Sequence, residues 1–109
     1  MRSAAYRVFF TPTAEEDLER LVEYLLTRAQ NLDDLERAQA TINALRRTVL
    51  EQLATMPWSF RKAGSGQWAT RRELIVPAGA AGYVVLYEIA SESLVQVLAI
   101  RHQLEQDYH

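Results

Sequence analysis

Residues 71–100 run Arg71-Arg72-Glu73-Leu74-Ile75-Val76-Pro77-Ala78-Gly79-Ala80-Ala81-Gly82-Tyr83-Val84-Val85-Leu86-Tyr87-Glu88-Ile89-Ala90-Ser91-Glu92-Ser93-Leu94-Val95-Gln96-Val97-Leu98-Ala99-Ile100. β-Branched and aromatic residues fill three segments, and two short breaks separate them. Arg71 to Val76 reads as a strand ended by Pro77-Ala78-Gly79-Ala80-Ala81. Gly82 to Ile89 reads as a second strand, Ala90-Ser91-Glu92-Ser93 as a turn, and Leu94 to Ile100 as a third strand. In the middle strand Tyr83, Val85, Tyr87 and Ile89 fall on one face and Val84, Leu86 and Glu88 on the other. Connections this short join antiparallel neighbours, so the segment predicts a three-stranded meander.

Upstream, Tyr6-Arg7-Val8-Phe9-Phe10 reads as a further strand, stopped at Thr11-Pro12-Thr13 because proline cannot donate to a ladder. Two helices follow. Thr13 and Glu16 have capping-box spacing, and Leu18, Leu21, Val22, Leu25, Leu26 and Ala29 recur at helical spacing. Asp33 and Glu36 repeat the capping logic for a second helix, with an apolar seam of Leu35, Ala38, Ile42, Leu45, Val49, Leu53 and Met56. That helix has about 23 residues, or roughly 35 Å, and Pro57 ends it. The short connection near Ala29-Gln30-Asn31 predicts a helical hairpin. Residues 57–70 read as a loop rich in aromatics, holding Trp58, Phe60 and Trp68. The tail from Arg101 to His109 is polar and is expected to form one helical turn. The order is β-α-α-β-β-β: an α+β fold, with an antiparallel sheet and the N-terminal hairpin packed on one face. Residues 1–109 are read as a single domain.

The chain has 109 residues, 49% hydrophobic and 24% charged. That composition excludes a disordered tail, and no apolar run approaches the roughly 20 residues of a membrane span. Met1-Arg2-Ser3-Ala4-Ala5 leads straight into the first strand, so no signal peptide is expected. There is no cysteine, which removes disulfides and thiolate chemistry. Lys plus Arg is 12 against 14 Asp plus Glu, a net charge of −2, whereas proteins that live on phosphate contacts are usually basic. The acidic excess lies in residues 1–56. In the second half, basic residues cluster at Arg61-Lys62, Arg71-Arg72 and Arg101, beside His102.

Other motifs carry little. Gly64-Ser65-Gly66 lacks the Lys-Ser/Thr of a phosphate loop and the spacing of a nucleophile elbow. With only His102 and His109 and no Cys, no metal site is expected. Glu15, Glu16, Asp17 and Glu19 sit at a helix start and read as solvated charges that compensate its dipole. Arg71 and Arg72 are adjacent on a strand and point to opposite faces.

The chain resembles the RelE/ParE toxins of bacterial type II toxin–antitoxin systems, and within them is most similar to the ParE branch. Four patterns in order carry the resemblance. They are residues 6–18, a strand followed by an acidic helix start; Leu53-Ala54-Thr55-Met56-Pro57; Arg71 to Pro77 followed by Gly82 to Glu88; and Val97 to Gln103 with Glu105 to His109 behind it. The resemblance implies a cytoplasmic toxin held inactive by a cognate antitoxin, without cofactor, membrane attachment or specific DNA binding of its own. It implies one of two activities. A RelE-like member cuts mRNA on the ribosome without a metal, and Arg61, Arg71, Arg72, Arg101, His102 and Tyr108 are the candidates for charge stabilisation and acid–base work, with His109 behind them. A ParE-like member poisons DNA gyrase by binding, and Trp58, Phe60, Arg61, Trp68, Arg101, His102 and Tyr108 are then the candidate anchors. The near-neutral charge favours the gyrase reading. A third reading is a non-toxic module that only binds an antitoxin, for which Tyr24 and Leu32 are the candidate contacts.

Overall fold

A computed structural model describes residues 5–78 and 81–103. The elements are β1 (Arg7–Phe10), α1 (Pro12–Arg28), α2 (Leu32–Thr55), a 3-10 turn (Pro57–Ser59), β2 (Arg61–Lys62), β3 (Arg71–Ala78), β4 (Ala81–Ile89) and β5 (Leu94–His102). The strands form one sheet in the order β1-β5-β4-β3-β2. The α+β architecture with its leading helical hairpin agrees with the sequence reading. Three details differ. The sheet is mixed, because β1 lies parallel to β5 and only the other pairs are antiparallel. The loop after α2 contributes the 3-10 turn and a two-residue strand. β3 also runs through Pro77; β2 pairs only with Arg72 and Glu73, so at Pro77 β3 is an edge, where a missing N–H costs no ladder bond.

Both helix starts lie earlier than expected. Thr11, not Thr13, caps α1 and accepts from the Ala14 N–H; Asn31, not Asp33, caps α2 and accepts from the Asp34 N–H. The cap needs extended backbone just before the helix, and Thr11 and Asn31 have it. Of the predicted seams, Leu18, Leu21, Ala38, Ile42, Leu45, Val49 and Leu53 are buried, whereas Leu26, Leu35 and Met56 are exposed. Both helices pack on the face of the sheet that carries Leu74, Tyr83, Val85, Tyr87, Ile89, Val95, Val97 and Ile100. Each such side chain contributes about 1.5–3 kcal/mol of burial.

Val97 and Ile100 are both buried although three residues apart, which strict alternation forbids. A bulge resolves this: Leu86 is opposite Ala99 but Tyr87 is opposite Val97, leaving Leu98 as the extra residue. The start of α1 braces the bulge. The Thr11 N–H and hydroxyl both donate to the Val97 carbonyl, at 3.0 and 2.9 Å. Asp17 Oδ2 accepts from the Ile100 N–H at 2.8 Å, and Asp17 Oδ1 accepts from Arg20. Asp17 is therefore not one of the solvated charges of the helix start: it is only 2% exposed, because the bulge frees a backbone donor inside the protein and a carboxylate satisfies it.

Asp17→Ala orphans that N–H and should lower stability by about 2–4 kcal/mol. Asp17→Asn keeps an acceptor and should lose about half as much. Urea unfolding of the three proteins measures both, and coincident midpoints would refute the role.

Candidate functional site

The sheet face turned away from the helices carries most of the candidate arginines. Arg61 on β2 is opposite Glu73 on β3, and Arg71 on β3 is opposite Glu88 on β4. Both arginines are held. Arg61 Nε and one terminal nitrogen each reach Glu73 Oε1 at 2.9 Å. Arg71 Nε donates to Glu88 Oε1 at 2.7 Å, and the Thr70 hydroxyl donates to the other oxygen of Glu88. Burial alone pushes the Glu88 carboxyl up, but the hydrogen bonds from Thr70 and Arg71, with the Arg71 charge, outweigh it and hold the group below its ordinary 4.5. Arg101 on β5 shares this face. It is opposite Val84, four positions along β4 from Glu88 and two strands from β3, so its backbone stands roughly 16 Å from that of Arg71. Arg101 is exposed and makes no ion pair with a described residue.

Arg72 points the other way, as adjacency on a strand requires. Its guanidinium donates to the carbonyls of Ala69 at 2.8 Å, Trp58 at 3.1 Å and Phe60 at 2.7 Å and lies 5.1 Å from the centroid of the Trp58 ring. Arg72 thus ties both ends of the aromatic loop to β3. Trp58 is 47% exposed and its indole N–H donates to the Tyr6 hydroxyl at 3.2 Å. Phe60 packs against the core, whereas Trp68 is 63% exposed. Gly64 and Gly66, at φ +56° and +78°, let the chain turn between them. Beneath this corner Tyr87 donates to the Pro57 carbonyl, and burial pushes its phenol up to about 12 against the opposing pull of Arg72.

His102 neighbours Arg101 in sequence but lies on the helix side. Its ring stands edge-on to Tyr83 at 5.3 Å and tilted toward Tyr24 at 6.2 Å. Arg28 lies 4.4 Å from the Tyr24 ring centroid. His102 and Tyr83 border an open groove of about 520 Å³ between the hairpin and the sheet, floored by Leu25, Leu45 and Val76. Tyr24 is 41% exposed, and Leu32, the first residue of α2, is 68% exposed.

The structure therefore brings together Arg61 with Arg71, Arg72 with Trp58 and Phe60, and His102 with Tyr24. It does not bring His102 to the arginines of the open face. Tyr108 and His109 lie outside the described residues. Glu73, Glu88 and Thr70 escaped the sequence reading as partners of the arginines. The signal for them is the strand register: with Ala78 opposite Ala81, Glu88 must face Arg71 and Tyr87 must face Arg72.

Three comparisons bear on this geometry. The family model described as ParE toxin of type II toxin–antitoxin system, parDE, matches residues 8–107. The chain is 32% identical over 101 residues to Toxin RelE1 of Caulobacter vibrioides, covering 93% of this chain and 97% of that protein. A solved structure titled "Chromosomal ParDE TA system from P. aeruginosa" superposes with a TM-score of 0.67 over 92% of this chain and 98% of that one; at 14% identity it speaks for the fold.

A carboxylate whose pKa falls on folding adds stability that is complete above its ordinary value and is lost as pH drops through the lowered folded value. Glu15, held below 4.5 by its hydrogen bond from Arg46 despite some burial, behaves as Glu88 does. The urea midpoint should therefore fall as the pH is taken below 4.5, and Glu88→Gln should flatten that fall. Parallel profiles for the two proteins would show that Thr70 and Arg71 do not favour the charged form of Glu88.

Proposed function

Because the chain belongs to the ParE toxin family of type II toxin–antitoxin systems, and so has a cognate antitoxin as partner, we propose that it arrests growth by binding and poisoning DNA gyrase rather than by cutting RNA. One observation supports this above others: three of the four candidate arginines are engaged by other groups, and the fourth, Arg101, is parted from His102 by the sheet. Arg61 and Arg71 are held by carboxylates, Arg72 by three carbonyls, and His102 lies on the opposite face of the sheet from Arg101. Metal-free RNA cleavage needs a cation beside an acid and a base. A binding inhibitor needs exposed anchors, and aromatic side chains dominate such surfaces. Trp58 and Trp68, on the corner fastened by Arg72, are the anchors of this reading, with Arg61 nearby and Arg101 at the far end of the same sheet. Tyr24 and the exposed tip of the hairpin, where Leu26, Leu32 and Leu35 cluster in sequence, are its antitoxin contacts. The setting is the cytoplasm, where gyrase acts.

The test is a pair of assays on one preparation: supercoiling and DNA cleavage with purified gyrase, and mapping of mRNA ends in a translating extract. The expected outcome is inhibited supercoiling with accumulated cleaved DNA and no new mRNA ends. Trp68→Ala should weaken inhibition by roughly thirtyfold, the effect of losing one aromatic anchor. Codon-phased mRNA cuts with gyrase unaffected would establish the nuclease reading instead.

A further inference from the structure

We propose that Glu73 and Glu88 are specificity residues of the open sheet face, each occupying one arginine so that a surface otherwise laid out to grip a phosphodiester turns nucleic acid away. The layout comes from the register. Arg61 is opposite Glu73, and Arg71 lies two residues before Glu73 on the same face, so the two arginine backbones are diagonal neighbours, roughly 7–8 Å apart. Two arginines rooted at that spacing on one face are long enough to turn both guanidiniums onto a single phosphate group. Both are spent on carboxylates at 2.9 and 2.7 Å, and an approaching phosphate meets two negative charges as well as two positive ones.

Stability alone does not account for these pairs. The carboxylates are largely covered and Glu88 gains some stability from its partners, but the arginine side chains are 62% and 45% exposed, and ion pairs so open to water add only modestly to folding. What the pairs change is the character of the face. With Arg61 and Arg71 neutralised, it presents paired charges beside the half-buried Ile75 and Leu86, which share it. That mixture suits a protein surface, whereas an array of bare arginines suits a polyanion. Rejecting the wrong partner by placing like charge against it is a recognised route to specificity. The inference extends the protein-target reading, on which it rests for its biological sense, but the measurement below is independent of gyrase.

The experiment measures binding of a short fluorescein-labelled single-stranded RNA by anisotropy across a salt series, using the full chain and its Glu73→Gln/Glu88→Gln variant. Glutamine keeps size and hydrogen bonding while removing both charges. The expected result is roughly tenfold to hundredfold tighter binding at low salt, with the log–log salt slope steeper by about 1.4 for two freed arginines. Adding Arg61→Ala and Arg71→Ala should abolish the gain. A folded double variant, checked by circular dichroism, that binds RNA no better than the unaltered chain would overturn the proposal. So would a gain that survives removal of both arginines. If the double variant does not fold, Glu73→Gln alone, whose partner Arg61 lies on the edge strand, is expected to steepen the slope by about 0.7, and an unchanged slope overturns the proposal. Tight RNA binding by the unaltered chain counts against it as well, because the arginines would then be free already. The gyrase assays above judge the other reading separately.

Discussion

Asp17 reaches from the second turn of α1 to the Ile100 N–H in the middle of the sheet, and the arrangement of the site follows from that bond. β5 carries one residue too many between Val97 and Ile100. The fold accommodates it as a bulge, with Thr11 taking up the carbonyl before the extra residue and Asp17 the N–H beyond it. A buried carboxylate is costly unless its oxygens are satisfied. Here one oxygen has a backbone donor and the other has Arg20. In exchange, both Val97 and Ile100 enter the core. Beyond the bulge the alternation of β5 is reversed relative to an unbulged strand. Arg101 consequently faces outward and His102 inward, so these neighbours belong to different surfaces.

Electrostatics then separates those surfaces further. The open face holds Arg61 and Arg71 in cross-strand pairs, so their charge is largely cancelled where it would be most useful to a phosphate. The helix-side end of the sheet is aromatic, with Tyr83, His102 and Tyr24 stepping from sheet to hairpin under Arg28. Between the helix-side end and the 3-10 turn, Arg72 uses its fork of donors on loop carbonyls and leaves Trp58 stacked near it. A guanidinium that satisfies three carbonyls fixes a loop in the way a short strand would. That is how an aromatic segment with little regular structure can present Trp68 from a defined position.

The elements of this fold were largely legible beforehand because hydrophobic period is local information. Tyr83, Val85, Tyr87 and Ile89 alternate, Ile42, Leu45, Val49 and Leu53 recur at helical spacing, and all are buried. Helix caps were less legible. Thr11 and Thr13, or Asn31 and Asp33, are chemically equivalent caps, and the choice rests on where the chain is still extended. The parallel pairing of β1 with β5 was invisible locally, since nothing within Tyr6 to Phe10 specifies which strand lies beside it. The acidic helix start misled for a related reason: Glu15, Asp17 and Glu19 look alike in sequence, and only Asp17 points at a freed backbone donor.

By itself, then, the sequence determined an α+β chain with a helical hairpin and a meander, an absence of thiol chemistry, and a set of basic and aromatic candidates after residue 57. Tertiary structure decided which of those residues share a surface. The deciding contacts join positions far apart in the chain, with Thr11 bonded to Val97 and Asp17 to Ile100. No local pattern encodes a bulge that is stabilised from more than eighty residues away.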